Sequence, residues 1–211
     1  MENSAYIALS SQSALKREMN VIANNIANIN TTAYKNESMM FVEHLVRSKG
    51  GHSLRTPRLT YTRDVAQYQN MQEGPIKTTG NALDIAIPGE GYFVVNTADG
   101  ERYTRNGHLS LNNDGQLVTR NNQPLLSDAG TPFFFNPDDK DITFAADGTI
   151  STSNGQIGKL RVVKFDKPQN LQKEEAGIYK TDEQPVAVEK PGIIQGALES
   201  SNVKPMLEIT K

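Results

Sequence analysis

The 211-residue sequence contains no cysteine and no tryptophan. Without cysteine the chain has no disulfide framework, no thiolate nucleophile and no zinc–cysteine site. Aromatic residues make up only 7% of the sequence, which gives little support to a carbohydrate-stacking surface. The formal net charge is −2, so no overall field favours nucleic acid or an anionic membrane surface. The length is sufficient to bury a core, as one large domain or two small ones.

Long apolar runs are also missing. The chain opens with Met1-Glu2-Asn3-Ser4, which has no cationic region, and no apolar run follows that could serve as a signal peptide or a membrane span. We therefore expect no membrane insertion. The protein is either cytosolic or exported by a machine that leaves its N-terminus intact.

No group of residues has the spacing that catalysis or metal binding requires. The three histidines (His44, His52 and His108) lie in different segments. Gly89-Glu90-Gly91 lacks the remaining glycine and the following helix of a dinucleotide loop. Asn112-Asn113-Asp114-Gly115 lacks the bidentate glutamate of a calcium loop. The sequence predicts no catalytic residue, no cofactor and no metal site, and it favours an assembly protein or a binding module over an enzyme.

The first thirty residues carry a heptad pattern. Apolar residues recur every seven positions, and a second series lies three residues earlier, as at the a and d positions of a coiled coil. This pattern predicts a helix from about Ser4 to Asn28 with an apolar seam for pairing with another helix. The predicted seam consists of Leu15, Met19, Ile22, Ile26 and Ile29.

Four asparagines occur within seven residues near the end of that helix. Asparagine is a poor residue for a helix interior because its amide competes for backbone hydrogen bonds. An ordinary solvated face is the alternative, but such faces usually carry residues that favour helix. We interpret the asparagines and a following pair of residues as contacts to neighbouring chains. The candidate interface residues are Asn24, Asn25, Asn28, Asn30, Tyr34 and Lys35.

Residues 36–80 are polar and weakly periodic, and we predict an extended connector here. Within it, Phe41-Val42 and Leu45-Val46 could form a short helix, and Leu59–Tyr68 could form a strand. Its basic residues could bind nucleic acid, but no base-stacking motif accompanies them, so we predict no nucleic-acid partner. These basic residues are Arg47, Lys49, Arg55, Arg58 and Arg63.

From residue 81 to residue 190 short alternating strands follow one another, separated by tight turns. Asparagine or aspartate followed by glycine can supply the positive φ angles of a hairpin turn. Hairpins at this spacing, without long helices between them, predict an antiparallel β sandwich or distorted barrel. The clearest alternating strand is Lys159–Phe165. The five turn dipeptides are Asp99-Gly100, Asn106-Gly107, Asp114-Gly115, Asp147-Gly148 and Asn154-Gly155.

The predicted fold is therefore mainly β, with a long N-terminal helix and a terminal coiled-coil region. After residue 190 the chain returns, and a second helix is expected to begin near Met206 and to stop at Lys211. The predicted parts are an N-terminal heptad helix (1–35), the connector (36–80), the β domain (81–190) and the return segment with the start of a truncated helix (191–211).

Four ordered motifs resemble those of the bacterial flagellar rod and hook proteins. Ala23–Lys35 resembles their N-terminal signature, and Thr79–Phe93 resembles the start of their shared β domain. Tyr103–Gly107 and Asp114–Val118 continue that domain. Gln195–Val203 is similar to the segment that leads into their C-terminal helix. Within the family, the first ten residues and the short connector look most like the proximal rod proteins.

The resemblance implies a structural axial subunit of the flagellar basal-body rod. Such a subunit transmits torque and lines the export channel, and its partners are other rod subunits and possibly copies of itself. The resemblance also implies that the seam pairs with a C-terminal helix of the same chain, while the asparagines meet adjacent subunits. It further implies a periplasm-spanning location and export without a cleaved signal peptide. The alternatives are a distal rod or hook-family protein and a secreted β-rich ligand-binding module.

Overall fold

The structure is a computed structural model that describes residues 2–47, 58–136, 139 and 141–210. Two helices and seventeen strands lie within these ranges. The helices are α1 (Glu2–Ala27) and α2 (Pro205–Ile209), and the strands are β1 (Glu37–Arg47), β2 (Arg58–Gln69), β3 (Ile76–Thr78), β4 (Ile85–Ala86), β5 (Tyr92–Thr97), β6 (Gly100–Thr104), β7 (Leu109–Leu111), β8 (Leu117–Thr119), β9 (Thr143–Phe144), β10 (Thr149–Thr152), β11 (Gly155–Lys159), β12 (Val162–Lys164), β13 (Gln172–Lys173), β14 (Ile178–Lys180), β15 (Val186–Ala187), β16 (Ile194–Gln195) and β17 (Ala197–Glu199).

The contacts divide the chain into two compact units. Unit 1 consists of Met1–Asn28, Asn36–Asn70 and Val203–Lys211, and unit 2 consists of Ile29–Lys35 and Met71–Asn202. Unit 1 therefore holds both helices and the first two strands, and unit 2 holds the other strands. The four-part division made from the sequence stays a prediction.

The predicted N-terminal helix is confirmed as α1, which ends at Ala27. Its end is fixed by Asn28, whose side-chain amide donates hydrogen bonds to the carbonyl and the side-chain oxygen of Asn24, both at 2.9 Å. The Asn24 carbonyl also accepts the backbone amide of Asn28 at 3.1 Å, so Asn28 binds the last turn of the helix through both its backbone and its side chain. Ile29 therefore lies beyond the helix. Its assignment to a helical seam was wrong, because the asparagine closes the helix first.

Residues 36–70 contain a long β-hairpin. Strands β1 and β2 pair antiparallel, with Glu37 opposite Gln69 and one irregularity in register between Met40 and Phe41, and α1 packs against both strands. The predicted strand at Leu59–Tyr68 is confirmed. The prediction of a short helix in the apolar run that starts at Phe41 was wrong. A short apolar run is compatible with either a helix or a strand, and here the pairing with β2 makes it a strand. Residues 48–57 of the predicted connector, with Lys49 and Arg55, lie outside the described residues, and the last part of the connector contains strand β3.

Unit 2 is built from antiparallel strand pairs. Its largest sheet has six strands in the order β13-β14-β6-β5-β12-β15, and β11-β10-β9 form a three-stranded sheet. The pairs β16-β4, β17-β3 and β7-β8 complete the set. The prediction of a mainly β fold with a long N-terminal helix is confirmed. Among the described strands no sheet closes on itself, so the barrel alternative was wrong.

Strand β5 is buried on both faces and lies at the centre of unit 2. Phe93 and Val95 belong to one apolar cluster, whereas Tyr92 and Val94 belong to a second. Because successive side chains of a strand point to opposite faces, the two clusters lie on either side of β5. The second cluster is aromatic, with ring centroids of Tyr92 and Phe165 5.8 Å apart. Its buried members are Tyr92, Val94, Tyr103, Leu126, Val163, Phe165, Leu171 and Tyr179.

Four of the five predicted turns are confirmed as hairpin turns. They join β5 to β6, β7 to β8, β9 to β10 and β10 to β11, and the glycine of each has a positive φ angle. The turn at Asn106-Gly107 was wrong, because β6 and β7 belong to different sheets. Gly107 is needed there for close packing, since a Cβ atom would lie 1.7 Å from the carbonyl oxygen of Ile85.

The strand predicted at Lys159–Phe165 is split into the end of β11 and β12. The break occurs where Leu160 pairs with Ser127 in an isolated bridge and the Arg161 amide donates to the Leu126 carbonyl. These long-range bonds take the chain from the three-stranded sheet to the six-stranded one. The alternating pattern therefore predicted extended strands correctly, but the prediction of one continuous strand was wrong.

The return segment forms two short strands and the predicted second helix. Strand β16 pairs with β4, and β17 pairs with β3. Helix α2 begins at Pro205, a residue suited to the first helical position because its fixed φ angle is already helical. Its predicted start near Met206 is confirmed, and Lys211 lies outside the described residues.

Candidate functional site

The predicted helix-pairing seam is largely exposed to solvent. Leu15 is 59% exposed, Met19 is 69% exposed and Ile26 is 39% exposed, while Ile22 is half-buried. Ala14 marks the buried side of α1. At about 100° per residue, that side lies roughly 100° around the helix axis from the exposed apolar side chains. The helix thus packs on the hairpin with a face that is not its most apolar one. We call Leu15, Met19, Ile22 and Ile26 the apolar line.

Asn25 has an internal role that the sequence did not predict. Its side chain is fully buried. The Asn25 side-chain oxygen accepts a bond from the Glu37 amide at 3.0 Å, and its amide donates to the Glu37 carbonyl at 2.8 Å. It also donates to the carboxylate of Glu208 at 3.1 Å. The assignment of Asn25 to a subunit interface is therefore corrected, since its polar atoms bind strand β1 and helix α2 of its own unit.

Glu208 is a site residue that sequence reasoning missed. It is buried in unit 1, and its second carboxylate oxygen accepts a 2.9 Å bond from the side-chain amide of Asn36. The two asparagines therefore hold one carboxylate at the point where α2 meets the end of α1. The signal available in the sequence was a glutamate among apolar residues. It was missed because its hydrogen-bond partner Asn25 is 183 residues away in the sequence.

Three of the predicted interface residues remain accessible or partly accessible. Asn24 and Asn30 are exposed, and Asn28 is half-buried. The side-chain amide of Asn28 donates to the Asn24 carbonyl in the last turn of α1. Their prediction as contacts to neighbouring chains stays a prediction.

Tyr34 and Lys35 are buried in unit 2 and also require a correction. The ring of Tyr34 lies 4.4 Å from the ammonium nitrogen of Lys173, and the Tyr34 carbonyl accepts a bond from the Asn202 amide. The Lys35 ammonium donates to the Glu199 carboxylate at 2.6 Å and to the Gln72 carbonyl at 2.7 Å. Both side chains are thus committed inside the unit, so we no longer assign them to a subunit interface.

Glu199 is the centre of a buried charged group. Its other carboxylate oxygen accepts a 2.7 Å bond from Arg105, whose guanidinium also donates to the carbonyls of Ile87, Gly89 and Gly91. Burial raises the pKa of Glu199, but the charges of Arg105 and Lys35 outweigh burial and hold it below its ordinary value.

Burial also acts on the cation of this group. It lowers the pKa of Lys35, and the Glu199 carboxylate offsets only part of that effect. Lys35 and Glu199 are only 1% and 2% exposed, respectively. A charge removed from water at this depth requires a partner, so each of the two groups depends on the other.

The described residues offer little chemistry beyond these groups. His108 and Asp84 lie 2.8 Å apart, but the Thr79 hydroxyl donates to Asp84 rather than to the histidine, so no nucleophile is activated. Pockets of about 290 Å³ beside Tyr92 and Phe165 and of about 560 Å³ beside Gln172 and Glu183 are near or within the usual size range of ligand sites, roughly 300–1,000 Å³, but neither is lined by a histidine. No group of three or more potential metal ligands occurs in the described ranges. Of the helices described, neither has the length and apolarity to cross a membrane.

Comparison with known proteins identifies the family. Residues 6–35 match the family described as "Flagella basal body rod protein", and residues 86–152 match the "Flagellar hook protein FlgE/F/G D1 domain". The flagellar basal-body rod protein FlgF of Caulobacter vibrioides is 36% identical, over the whole of this chain and 86% of that protein. The chain belongs to the flagellar basal-body rod protein family.

Two further relatives place this rod protein within the family. The rod protein FlgF of Rhizobium meliloti is 31% identical over the whole of this chain and 86% of its own length. The rod protein FlgG of Bacillus subtilis is 29% identical over the whole of this chain and 89% of its own length. A rod protein is a structural component of the flagellum, so this chain is not an enzyme.

Proposed function

We propose that this rod protein is an axial subunit of the proximal rod that transmits torque and lines the export channel. The observation that carries the proposal is the exposure of the apolar line on α1. Exposed apolar side chains at heptad spacing are typical of a helix that pairs with another helix. A contiguous apolar surface of this kind marks an interaction site on a soluble protein.

The apolar line pairs with a C-terminal helix in a terminal coiled coil, and Asn24, Asn28 and Asn30 contact adjacent subunits. The pairing with the C-terminal helix buries the apolar line. The contacts with adjacent subunits use short amide side chains, which donate and accept hydrogen bonds at low cost in side-chain entropy. Contacts of the second kind join different surfaces of successive subunits. They do not close into a ring when the rotation does not close, so they produce a helical tube.

The subunit's neighbours are other proximal and distal rod proteins, and possibly copies of itself. Support for the proximal assignment comes from the identity to FlgF of Caulobacter vibrioides, which is 36%, against 29% for FlgG of Bacillus subtilis. The rod spans the periplasm, and the subunit reaches it by export without cleavage of a signal peptide. The β domain keeps its sheets outside the channel as an antiparallel sandwich, and the two apolar clusters on the faces of β5 support that arrangement.

The test replaces Asn24 and Asn28 together by lysine in cells that carry this chain as their only copy. Two added cations on an uncharged contact surface cost desolvation energy without a partner, so we expect motility and rod assembly to be lost. The purified variant is expected to retain the urea unfolding midpoint of its β strands. Swimming cells with the double substitution would refute the proposed contact surface.

A matched control uses Asn113 and Asn121, two exposed asparagines of unit 2. Their replacement by lysine makes the same change in charge away from α1. We expect these cells to swim. If the control strain also fails to assemble a rod, the loss in the first variant reflects added charge rather than a lost contact.

A further inference from the structure

Three stretches of unit 2 converge on the carboxylate of Glu199. One carboxylate oxygen accepts bonds from the Lys35 ammonium at 2.6 Å and the Gly74 amide at 2.9 Å. The other accepts from Arg105 at 2.7 Å. These donors come from parts of the chain that are 94 to 164 residues away from Glu199 in the sequence. The Gly74 stretch leads into β3, which pairs with β17, the strand of Glu199, and the Glu199 side chain adds the stretches of Lys35 and Arg105 to that pair.

Backbone hydrogen bonds join the Lys35 and Gly74 stretches to the stretch that contains Glu199 itself. The Ala33 amide donates to the Glu199 carbonyl at 2.8 Å, and the Asn202 amide donates to the Tyr34 carbonyl at 3.2 Å. The Ser200 amide donates to the carbonyl of Pro75 at 2.9 Å. The Lys35 ammonium adds a bond to the Gln72 carbonyl. Residues 33–35, 72–75 and 199–202 thus form one hydrogen-bonded cluster, which we call the clasp.

At Gly74, residues 72–75 and 199–202 approach each other too closely for a residue with a side chain. A Cβ atom on Gly74 would lie 2.0 Å from the carbonyl oxygen of Ser200 and 3.2 Å from the carbonyl carbon of Ser201. These are backbone atoms, which cannot rotate away as a side chain can. The glycine therefore allows the Gly74 amide to reach Glu199.

The clasp lies at the ends of the segments that make up unit 2. Lys35 ends the first segment of the unit, Met71 begins the second and Asn202 ends it. None of the clasp residues belongs to either apolar cluster of the unit. A shared carboxylate and backbone bonds therefore hold the clasp together beside the buried side chains of Ala33 and Tyr34.

We propose that Glu199 makes the clasp a single cooperative unit that opens and closes separately from the β core. Loss of the carboxylate leaves Lys35 and Arg105 buried without their anion and removes the acceptor of the Gly74 amide, so the three stretches separate together. On the proposed function, the closed clasp keeps the ends of unit 2 in place while the rod carries load.

Amide exchange of the unmodified full chain in increasing urea tests this first. The reporters are the amides of Ala33, Ser200 and Asn202, and the core reporters are the amides of Leu117 and Leu125, which are bonded within the β unit. We expect the three clasp amides to share one opening free energy and one urea dependence, both lower than those of the core. Exchange of the clasp amides together with the core, or each at its own value, overturns the proposal.

Glu199→Gln tests the role of the carboxylate, with Glu101→Gln as its matched control. Glu101 binds Arg161 at 2.8 Å but is 42% exposed. We expect Glu199→Gln to speed exchange of the three clasp amides at least tenfold and to leave Leu117 and Leu125 unchanged, whereas Glu101→Gln changes neither set. An effect of Glu199→Gln on one clasp amide alone contradicts a cooperative clasp.

Gly74→Ala breaks the clasp without removing a charge and is the second variant if Glu199→Gln does not fold. We expect it to speed exchange of the same three amides, and a change confined to residues 73–75 overturns the proposal. These measurements use the monomer, so they stand apart from the assembly test on Asn24 and Asn28. Normal swimming of Glu199→Gln cells in viscous medium would overturn the link between the clasp and load while the exchange data decide the clasp itself.

Discussion

The two units differ in where their apolar side chains lie. In unit 2 strand β5 is buried on both faces, and Phe93 and Val95 have no exposed surface. In unit 1 the apolar line of α1 is exposed, with Met19 at 69%. One unit thus completes its core within the chain, and the other presents apolar surface that a partner helix can cover. On the proposed function, this difference separates a unit with a complete core from a unit that pairs with a partner helix.

The polar centres of the units differ in a parallel way. In unit 1 Asn25 and Asn36 donate amide hydrogen bonds to the carboxylate of Glu208. In unit 2 the carboxylate of Glu199 binds two cations, Lys35 and Arg105. A buried ion group links stability to the protonation of its members.

The largest expected effect comes from removing a core ring of unit 2. Phe93→Ala deletes a fully buried side chain, and we expect a loss of about 3–5 kcal/mol in the free energy of unfolding. Phe134→Ala is the matched control because that ring is 58% exposed, and we expect a change within about 0.5 kcal/mol. Urea unfolding followed by circular dichroism measures both. Equal losses would contradict the assignment of the core.

A turn of unit 2 gives the next effect. Gly115 has a φ angle of 74°, and a Cβ atom there would lie 2.3 Å from the carbonyl oxygen of Phe135. Gly115→Val therefore adds both backbone strain and a clash, and we expect a loss of about 2–4 kcal/mol. Gly130 has a φ angle of 77° and open space around it, so Gly130→Val reports the strain alone. Thermal unfolding of the two variants separates the effect of backbone strain from that of the clash. Equal melting temperatures would show that the clash does not contribute.

The charged centre of unit 2 predicts a smaller, pH-dependent effect. The native pKa of Glu199 is lowered, so its contribution to stability is present above its ordinary, unfolded-state pKa and is lost as the pH falls through the lowered native pKa. We expect unmodified protein to be more stable than Glu199→Gln at pH 7, and the difference to shrink as the solution is acidified.

Urea unfolding of both proteins between pH 7 and pH 3 measures this difference. Asp139 and Asp147 also have lowered pKa values, but both remain in the variant. The difference between the two proteins therefore reports Glu199. A difference that stays constant with pH would show that the carboxylate acts without its charge.

The smallest expected effect on stability comes from the apolar line of unit 1. Leu15 and Met19 are exposed, so their double replacement by serine is expected to change the free energy of unfolding by less than about 0.5 kcal/mol. The same variant is expected to abolish rod assembly in cells, because we propose that a partner helix covers the apolar line. Swimming cells with both serines would break the comparison between the units.

Local patterns in the sequence predicted the elements that depend on local chemistry. The heptad pattern predicted α1, and the dipeptide Asp114-Gly115 predicted a hairpin turn because its glycine supplies a positive φ angle. The same pattern failed at Asn106-Gly107. There the glycine serves close packing against Ile85, a residue from a distant strand that the dipeptide itself does not reveal.

The candidate site was predicted only in part, because its contacts are long-range. The burial of Asn25 and Lys35 depends on Glu208 and Glu199, which lie 183 and 164 residues away. Periodicity identifies which side of α1 is apolar, but it does not say which side packs on the hairpin. Ala14 and Asn25 are buried while Leu15 is exposed. The family motifs indicated the function, since no chemical group among the described residues specifies it.

Amide exchange of α1 and β5 in the isolated chain tests the proposal that α1 pairs with a partner helix. If α1 awaits a partner helix, its amides exchange at least about tenfold faster than those of β5, which corresponds to about 1.4 kcal/mol less protection. Protection in α1 as strong as in β5 would contradict the claim that unit 1 is completed by assembly.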